Sequence, residues 1–523
     1  MINTFVYRND STLSIIPNTN DDNRNRFEVL PQVLAVLLKN ILILPIGMSL
    51  GYATILIPRI IGNDPNEAFS ITEEQVSWIG SSISISAGVA TLASGFITHS
   101  FGRVRVFIAI SVPTFIGWIV YYLSNEIWHI FFAICLNGLC TGLIGAAVSS
   151  YVAEICQPHV RGMLSATNPF TVVLGVFVEI LLGTFLHWRT AALVSSIIPA
   201  IAFCGLWFLP ESPHWLLSQN KEGEARKSLA WYRGWAATES IQKEFQNIKE
   251  IYQKNQNIIK QTKTLTFKNL YLKKSFLFPL FLVSFLYFLA NLTGVLTLQT
   301  YGVLIFATLD VPINKYYATL LMGLCELTGS LINIFLVRCL GKRKLSFLSL
   351  STLTLSNLFV GVYAFFNDIK ELRLKSDFEN VSIDIRGYEF IPLCLLLFLS
   401  FSGHCGLKGL PWVMVGEVFS FETRSIGCGF SITSFYISGF LANKTFLQMI
   451  HSFTFAGVYW FHMSLGFLGL IVIYLAVPET EGKSLTEIDH HFSGQFKLDN
   501  NVRKYNKRQV ADASVVKKDI EIT

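Results

Sequence analysis

Long apolar runs alternate with short polar segments from about residue 34 to residue 477. Twelve of these runs approach or exceed the roughly 20 residues a helix needs to cross a bilayer. They cover 34–57, 77–98, 105–124, 128–153, 163–185, 189–209, 276–298, 316–337, 345–366, 389–416, 427–448 and 457–477. The pattern predicts an all-α polytopic membrane protein with twelve transmembrane helices. Composition agrees, with 523 residues, 52% hydrophobic and 15% charged, and a mean hydropathy of +0.48. A soluble chain of this length would need far more charge to cover its surface.

The polar segments set the expected orientation. Arg103 and Arg105, then Arg161, then Lys342, Arg343 and Lys344, then Arg424 occupy alternate loops, and the 210–274 linker adds Lys221, Arg226, Lys227 and Arg233. All fall on one side if both termini are cytoplasmic, as the positive-inside rule requires. Asp64, Glu67, Glu73, Glu74 and Glu126 fall on the other, and so does the sequon at Asn380, an expected glycosylation site. A second sequon at Asn291 lies within a span and should be silent. The net charge of +6 sits in loops and gives no reason to expect nucleic acid. Nine scattered cysteines without a C-x-x-C read as small apolar residues. No nucleophile–base pair, metal-spaced cluster or phosphate loop stands out, so neither an enzyme nor a cofactor or metal is expected.

The chain repeats itself. Phe101-Gly-Arg103 recurs as Leu340-Gly-Lys342, Glu154 with Arg161 recurs as Glu417 with Arg424, and Pro210-Glu-Ser212 recurs as Pro478-Glu-Thr480. The order is kept at offsets of about 240 to 270 residues, which predicts two six-helix halves with a site between them. The expected division is an N-terminal tail at 1–33, halves at 34–209 and 276–478, a linker with amphipathic helices at 210–275, and a C-terminal tail at 479–523. The densest anomaly is in the tenth span. Gly403, Gly406, Gly409 and Pro411 fall within nine residues, just ahead of Trp412. A helix broken in mid-membrane is tolerated where it lines protein or a wet cavity, and the indole offers a platform for a ring-shaped polar ligand.

These motifs resemble the sugar porter family of the major facilitator superfamily. LPESPHWL (209–216) is similar to its PESPRWL, VPETEGKSLTEI (477–488) to its closing motif, LPWVMVGEVFSFETR (410–424) to its tenth-helix signature, and YVAEI with VRG (151–155, 160–162) to the end of its fourth helix. ARKSLAWYRG (225–234) and ANKTF (442–446) resemble most closely the facilitated trehalose transporters within it. The resemblance implies the major facilitator fold and facilitative, alternating-access transport of a trehalose- or hexose-like sugar by a multi-pass protein of the cell membrane, functional as a monomer. It also implies a cytoplasmic gate in which Arg103, Glu154, Arg161, Glu211, Lys342, Arg343, Glu417, Arg424 and Glu479 cross-pair between halves. Two departures weaken that gate: the family's loop acids are His99 and Arg338 here, and its second basic residue is Val104.

At the binding positions the resemblance keeps Trp412 and little else. The fifth-helix Gln is replaced near Asn168-Pro169, the paired Gln become Ala290 and Asn291, a following Asn becomes Leu296, and an Asn-Trp pair becomes Phe435-Tyr436. New polar groups stand nearby, with Glu326 and His404 at binding positions and Gln299, Tyr301 and Lys408 in register. The expected substrate-binding set is Trp412, Asn291, Gln299, Tyr301, Glu326 and His404. Proton-coupled relatives carry an Asp where Ala53 stands and an Arg where Ile134 stands, so transport without proton coupling is expected. Two alternatives stay open, a carrier of another small polar or charged solute such as a polyol or organic acid, and a nutrient sensor that binds without moving its ligand. Glu179 reads as a snorkelling or helix-packing acid, and Lys39 as a snorkelling base.

Overall fold

The structure is a computed structural model that describes residues 28–61, 71–262, 271–373, 388–420, 423–483 and 485–502. The sequon at Asn380 lies outside them. Among the described residues the secondary structure is helical throughout. The first six crossings are α1 (Leu30–Ile61), α2 (Glu73–Phe101), α3 (Arg103–Leu123), α4 (Ile127–Ile155), α5 (Pro158–Phe185) and α6 (Trp188–Leu206). Three linker helices follow, α7 (Pro213–Ser218), α8 (Glu222–Tyr232) and α9 (Gln242–Thr262). The seventh crossing is a broken pair, α10 (Lys274–Leu292) and α11 (Val295–Thr308), followed by α12 (Lys315–Leu340) and α13 (Lys342–Phe366). The tenth is α14 (Phe390–Ser402), a π-helical turn (Gly403–Leu407) and α15 (Leu410–Glu417). Then come α16 (Arg424–Ala476) and the short α17 (Leu485–Phe492).

Helix α16 is two crossings. Its 53 residues would span about 80 Å at 1.5 Å per residue, far beyond a bilayer core of about 30 Å. The helix breaks at Thr454, where φ is 67°, an uncommon conformation for a β-branched residue. The Thr454 hydroxyl accepts the Gly457 amide at 3.4 Å, and Lys370 O accepts the Phe455 amide at 2.9 Å. Before the break His451 meets Glu73 at the start of α2. After it Tyr474 O accepts from Arg343 at the start of α13. The chain therefore crosses, turns and crosses back, which makes twelve crossings among the described residues.

Small residues let the helices touch. A Cβ at Gly47 would strike Val172 O, and one at Gly175 would strike Leu44 O, so α1 and α5 meet backbone to backbone. The halves meet through α2 on α16, α5 on α12 and α1 on α11.

The two broken crossings are repaired by their neighbours. At the α10–α11 break Gly294 is left-handed, with φ 92°. Asn357 Nδ2 donates to Thr293 O at 3.0 Å, and His462 Nδ1 donates to Leu292 O at 2.7 Å. At the π turn Lys408 N–H donates to Gly403 O at 3.0 Å, five residues back. Ser349 Oγ donates to Ser402 O at 2.5 Å and accepts the Leu407 amide at 3.0 Å, while Asn333 Nδ2 donates to Cys405 O at 2.5 Å. Each backbone group freed inside the membrane and named here thus has a partner, a side chain in every case but Gly403 O, as a low-dielectric surrounding demands.

Of the two buried charges, Glu179 takes the helix-packing role that is one of its two expected ones, and the snorkelling expected of Lys39 needs correction. Glu179 is fully buried and accepts Ser195 Oγ at 2.7 Å, joining α5 to α6. Lys39 is fully buried and donates to Asn168 Oδ1. Neither snorkels, because each lies on the helix face turned toward a neighbouring helix and finds a polar partner there.

Candidate functional site

Trp412 lies just after the π turn, on α15, and is 39% exposed. Its ring makes edge contacts with Tyr287 on α10 at 5.2 Å and Phe435 on α16 at 5.1 Å, and those two rings are 5.3 Å apart. Three crossings thus meet at one aromatic cluster. The break in the seventh crossing ends beside it, where Asn291 Nδ2 donates to Phe435 O at 2.8 Å and to Ser438 Oγ at 2.9 Å.

A second group joins the seventh, eighth and tenth crossings. Gln299 Nε2 donates to Glu326 Oε2 at 2.8 Å, and both residues are buried. Oε1 of Glu326 has no partner among the described residues. Ser400 and Lys408 are its neighbours, Lys408 acting through its charge and not through a direct bridge. His404 Nδ1 donates to Ser400 O at 3.1 Å, within its own helix. The sequence-predicted residues therefore form two subsets, Trp412 with Asn291, and Glu326 with Gln299 and His404.

Tyr301 belongs elsewhere. It is 1% exposed, stacks on Phe446 at 5.1 Å and donates to Asn443 O at 3.0 Å. It sits in the seam that closes the halves at the end opposite the termini. There Asn443 Nδ2 donates to Gly80 O at 2.8 Å and Lys444 Nζ donates to Ser77 Oγ at 2.8 Å while lying 4.2 Å from the Trp78 ring centre. His451 and Glu73 pair at 3.0 Å. Thr54 Oγ1 donates to Gln299 O at 2.5 Å, also across the halves. Sequence reasoning missed this seam, although the adjacent polar pair Asn443-Lys444 inside an apolar run was a usable signal.

At the terminal end the expected charges pair within each half. Arg103 meets Glu154 at 2.8 Å, and Glu154 also accepts Ser212 Oγ. Glu211 accepts the amides of Arg103, Val104 and Arg105 at 2.9 to 3.3 Å. The second half repeats the plan. Lys342 meets Glu417 at 2.6 Å, and Glu479 accepts the amides of Lys342 and Arg343 at 3.1 Å each. A carboxylate over several amides at a helix start is favoured by hydrogen bonding and the helix dipole together. Arg161 and Arg424 turn back to Cys156 O and Phe419 O. Among these nine residues no hydrogen bond or ion pair joins the halves, in contrast to the cross-pairing implied by the resemblance. The halves are held together at the far end, so the terminal-end charges have only their own half to pair with.

Outside the membrane, His214 on α7 stands near Glu154, Arg103 and Arg161, and burial lowers its pKa below the usual 6.5. Tyr232 on α8 carries its hydroxyl to Tyr151 at 2.9 Å and Pro210 O at 2.6 Å, docking the linker under the first half.

Comparison with known proteins agrees with this architecture. The facilitated trehalose transporter Tret1 of Polypedilum vanderplanki is 25% identical over 477 residues, 90% of each chain. The Tret1 of Apis mellifera ligustica is 26% identical over 465 residues, 88% of each. The proton:xylose symporter XylE, a major facilitator superfamily protein, superimposes with a TM-score of 0.66 at 18% identity, covering 89% of this chain and 100% of that one. An inward-open form of XylE from E. coli gives 0.66 at 17%. The fold is that of the major facilitator superfamily, and because the family model described as sugar (and other) transporter matches residues 25–492, the chain belongs to that family.

Proposed function

We propose that this chain moves a sugar or sugar-like solute across the cell membrane by alternating access, as a facilitator without proton coupling. The observation that carries the reading is the distribution of contacts between halves. The far end is bridged by Asn443, Lys444, His451 and Thr54, while the terminal-end ring of charges closes on itself in each half. With both termini cytoplasmic, this is an inward-facing state. Arg103–Glu154 and Lys342–Glu417 are largely buried pairs, with side chains 8–22% exposed, and on this reading they exchange partners across the halves when the site turns outward, one ion pair replacing another. The central site lies between the breaks in the seventh and tenth crossings, with Trp412 as its platform. The facilitative mode is supported by Ala53 and Ile134, since no buried Asp–Arg pair is available there to exchange a proton. Tret1 relatives carry the name of facilitated trehalose transporters, whereas XylE is titled a proton symporter.

The test is zero-trans uptake of labelled trehalose and glucose in cells that display the protein, with Trp412→Ala alongside. Saturable uptake that needs Trp412 and ignores an imposed proton gradient supports the reading. Absence of uptake with normal surface display refutes it, and a gradient-driven flux refutes the facilitative mode.

A further inference from the structure

On the outer surface of the first half, α2, α3 and α4 leave a groove of about 570 Å³. Its walls include Phe101 of α2, Val106, Ala109 and Pro113 of α3, and Leu139 and Leu143 of α4. Phe101 and Leu139 are exposed, so the groove opens to lipid. Among the described residues, one charged side chain lines it, that of Arg105. From Arg105 to Pro113 α3 rises about 12 Å at 1.5 Å per residue, close to one leaflet of a hydrocarbon core about 30 Å thick. The groove thus has the length and the polarity order of one phospholipid, a cation at the terminal-end surface and an apolar trough beneath it.

The guanidinium of Arg105 is exposed and makes no hydrogen bond or ion pair among the described residues. It lies 5.6 Å from the ring centre of Trp215, whose Nε1 donates to His99 O at 2.8 Å. Glu211 accepts only the backbone amide of Arg105, at 3.3 Å, and shares itself with the amides of Arg103 and Val104. Arg103, two residues earlier, is paired with Glu154. The indole face therefore holds the Arg105 cation at the mouth of the groove, with its donors open to an acceptor from outside the chain.

We infer that this groove binds one anionic phospholipid of the terminal-end leaflet, the cytoplasmic one when both termini are inside. The phosphate takes the guanidinium hydrogens in a charge-assisted contact, and an acyl chain lies along Val106, Ala109 and Pro113. A zwitterionic lipid carries its own cation beside the phosphate, so a head with net negative charge is preferred. The site is separate from the Trp412 region and stands independently of the transport reading. The repeat supplies a control. Gly341-Lys342-Arg343-Lys344 matches Gly102-Arg103-Val104-Arg105, which places the exposed Lys344 where Arg105 stands in the first half.

The experiment titrates the purified full chain with dioleoyl phosphatidylglycerol or dioleoyl phosphatidylcholine. Native mass spectrometry counts the bound lipids and gives the affinity of the first. Phosphatidylglycerol is expected to bind about 5-fold more tightly. Arg105→Met should erase that preference while Arg105→Lys keeps most of it. Both variants retain the backbone amide that Glu211 accepts, so the start of α3 stays capped. Ala109→Trp fills the trough and should weaken the first phosphatidylglycerol with Arg105 still in place. Lys344→Met should change nothing. Equal affinities in wild type would overturn the inference, and so would an unchanged preference in Arg105→Met. Unchanged binding in Ala109→Trp would overturn the groove as the site. A loss in Lys344→Met as large as that in Arg105→Met would assign the preference to surface charge at large and overturn it as well.

Discussion

Asn443 on α16 donates to the carbonyl of Gly80 on α2 at 2.8 Å, across the two halves. The contact exists because Gly80 has no side chain. A Cβ there would lie 2.8 Å from the Tyr301 hydroxyl and 3.0 Å from Thr300 Cγ2, and Tyr301 itself donates to Asn443 O. One glycine, one amide and one phenol thus make a closed seam. Asn443→Ala removes the bond to Gly80 O and the bond to Thr300 Oγ1 at 3.0 Å. Only the Gly80 bond crosses the halves, and at about 1 kcal/mol for it the closed far end should lose roughly 5-fold in population. Labelling of Ser84→Cys by a membrane-impermeant thiol reagent should rise accordingly. No rise in a well-displayed Asn443→Ala variant would mean the seam does not hold this state.

The Pro-Glu motifs cap helices, and that role can be separated from any role in gating. Glu211→Gln and Glu479→Gln each weaken a cluster of backbone bonds at the starts of α3 and α13. Each should cost about 1–2 kcal/mol. The sites lie in separate halves, so the costs should add in the double variant. Thermal unfolding of the purified protein reads this directly. A double variant no less stable than either single one would contradict two independent caps.

Ser349 serves the π turn twice, as donor to Ser402 O and as acceptor of the Leu407 amide. Ser349→Ala leaves both groups without that partner in the membrane interior. The expected cost is about 1–3 kcal/mol for each group left unpaired, and Asn333→Ala should cost less because it frees only Cys405 O. Equal stability of Ser349→Ala and wild type in detergent would show that the turn finds other partners.

His214 gives the linker an acid-sensitive contact. Burial lowers its pKa in the folded chain, while the unfolded chain titrates near 6.5. Below about pH 6.5 the unfolded state binds the proton first, so stability is present above that pH and declines as pH falls beneath it. His214→Gln should flatten the decline between roughly pH 7 and pH 5.5. Parallel melting profiles for the two proteins over that range would rule out His214 as a source of the slope.

Much of the architecture was legible in order along the chain. Apolar runs of bilayer length fixed the crossings, and the Pro-Glu repeats, one after the sixth run and one after the twelfth, marked where the two halves end. The gap between 448 and 457 already separated the last two spans, which the helix α16 joins with a break at Thr454. The glycine-rich tenth span correctly pointed to broken helix, since glycine density and proline weaken a helix wherever it is placed. The identity of the broken element, a π turn repaired by Ser349 and Asn333, was not legible. Those partners lie on other helices, 53 and 72 residues away along the chain.

The sequence by itself determined the crossings, their duplicate order and the family to which they belong, because the transfer of apolar side chains into a bilayer is a local property summed along each run. Only the tertiary structure decided which charges meet. Arg103 took Glu154 and Lys342 took Glu417 within their own halves, Tyr301 went to the far seam, and the amides of Asn291 and Gln299 were taken up by neighbouring helices. Each of those choices turns on a contact worth about a kilocalorie and on which end of the two halves is closed. No local pattern in the chain encodes that state.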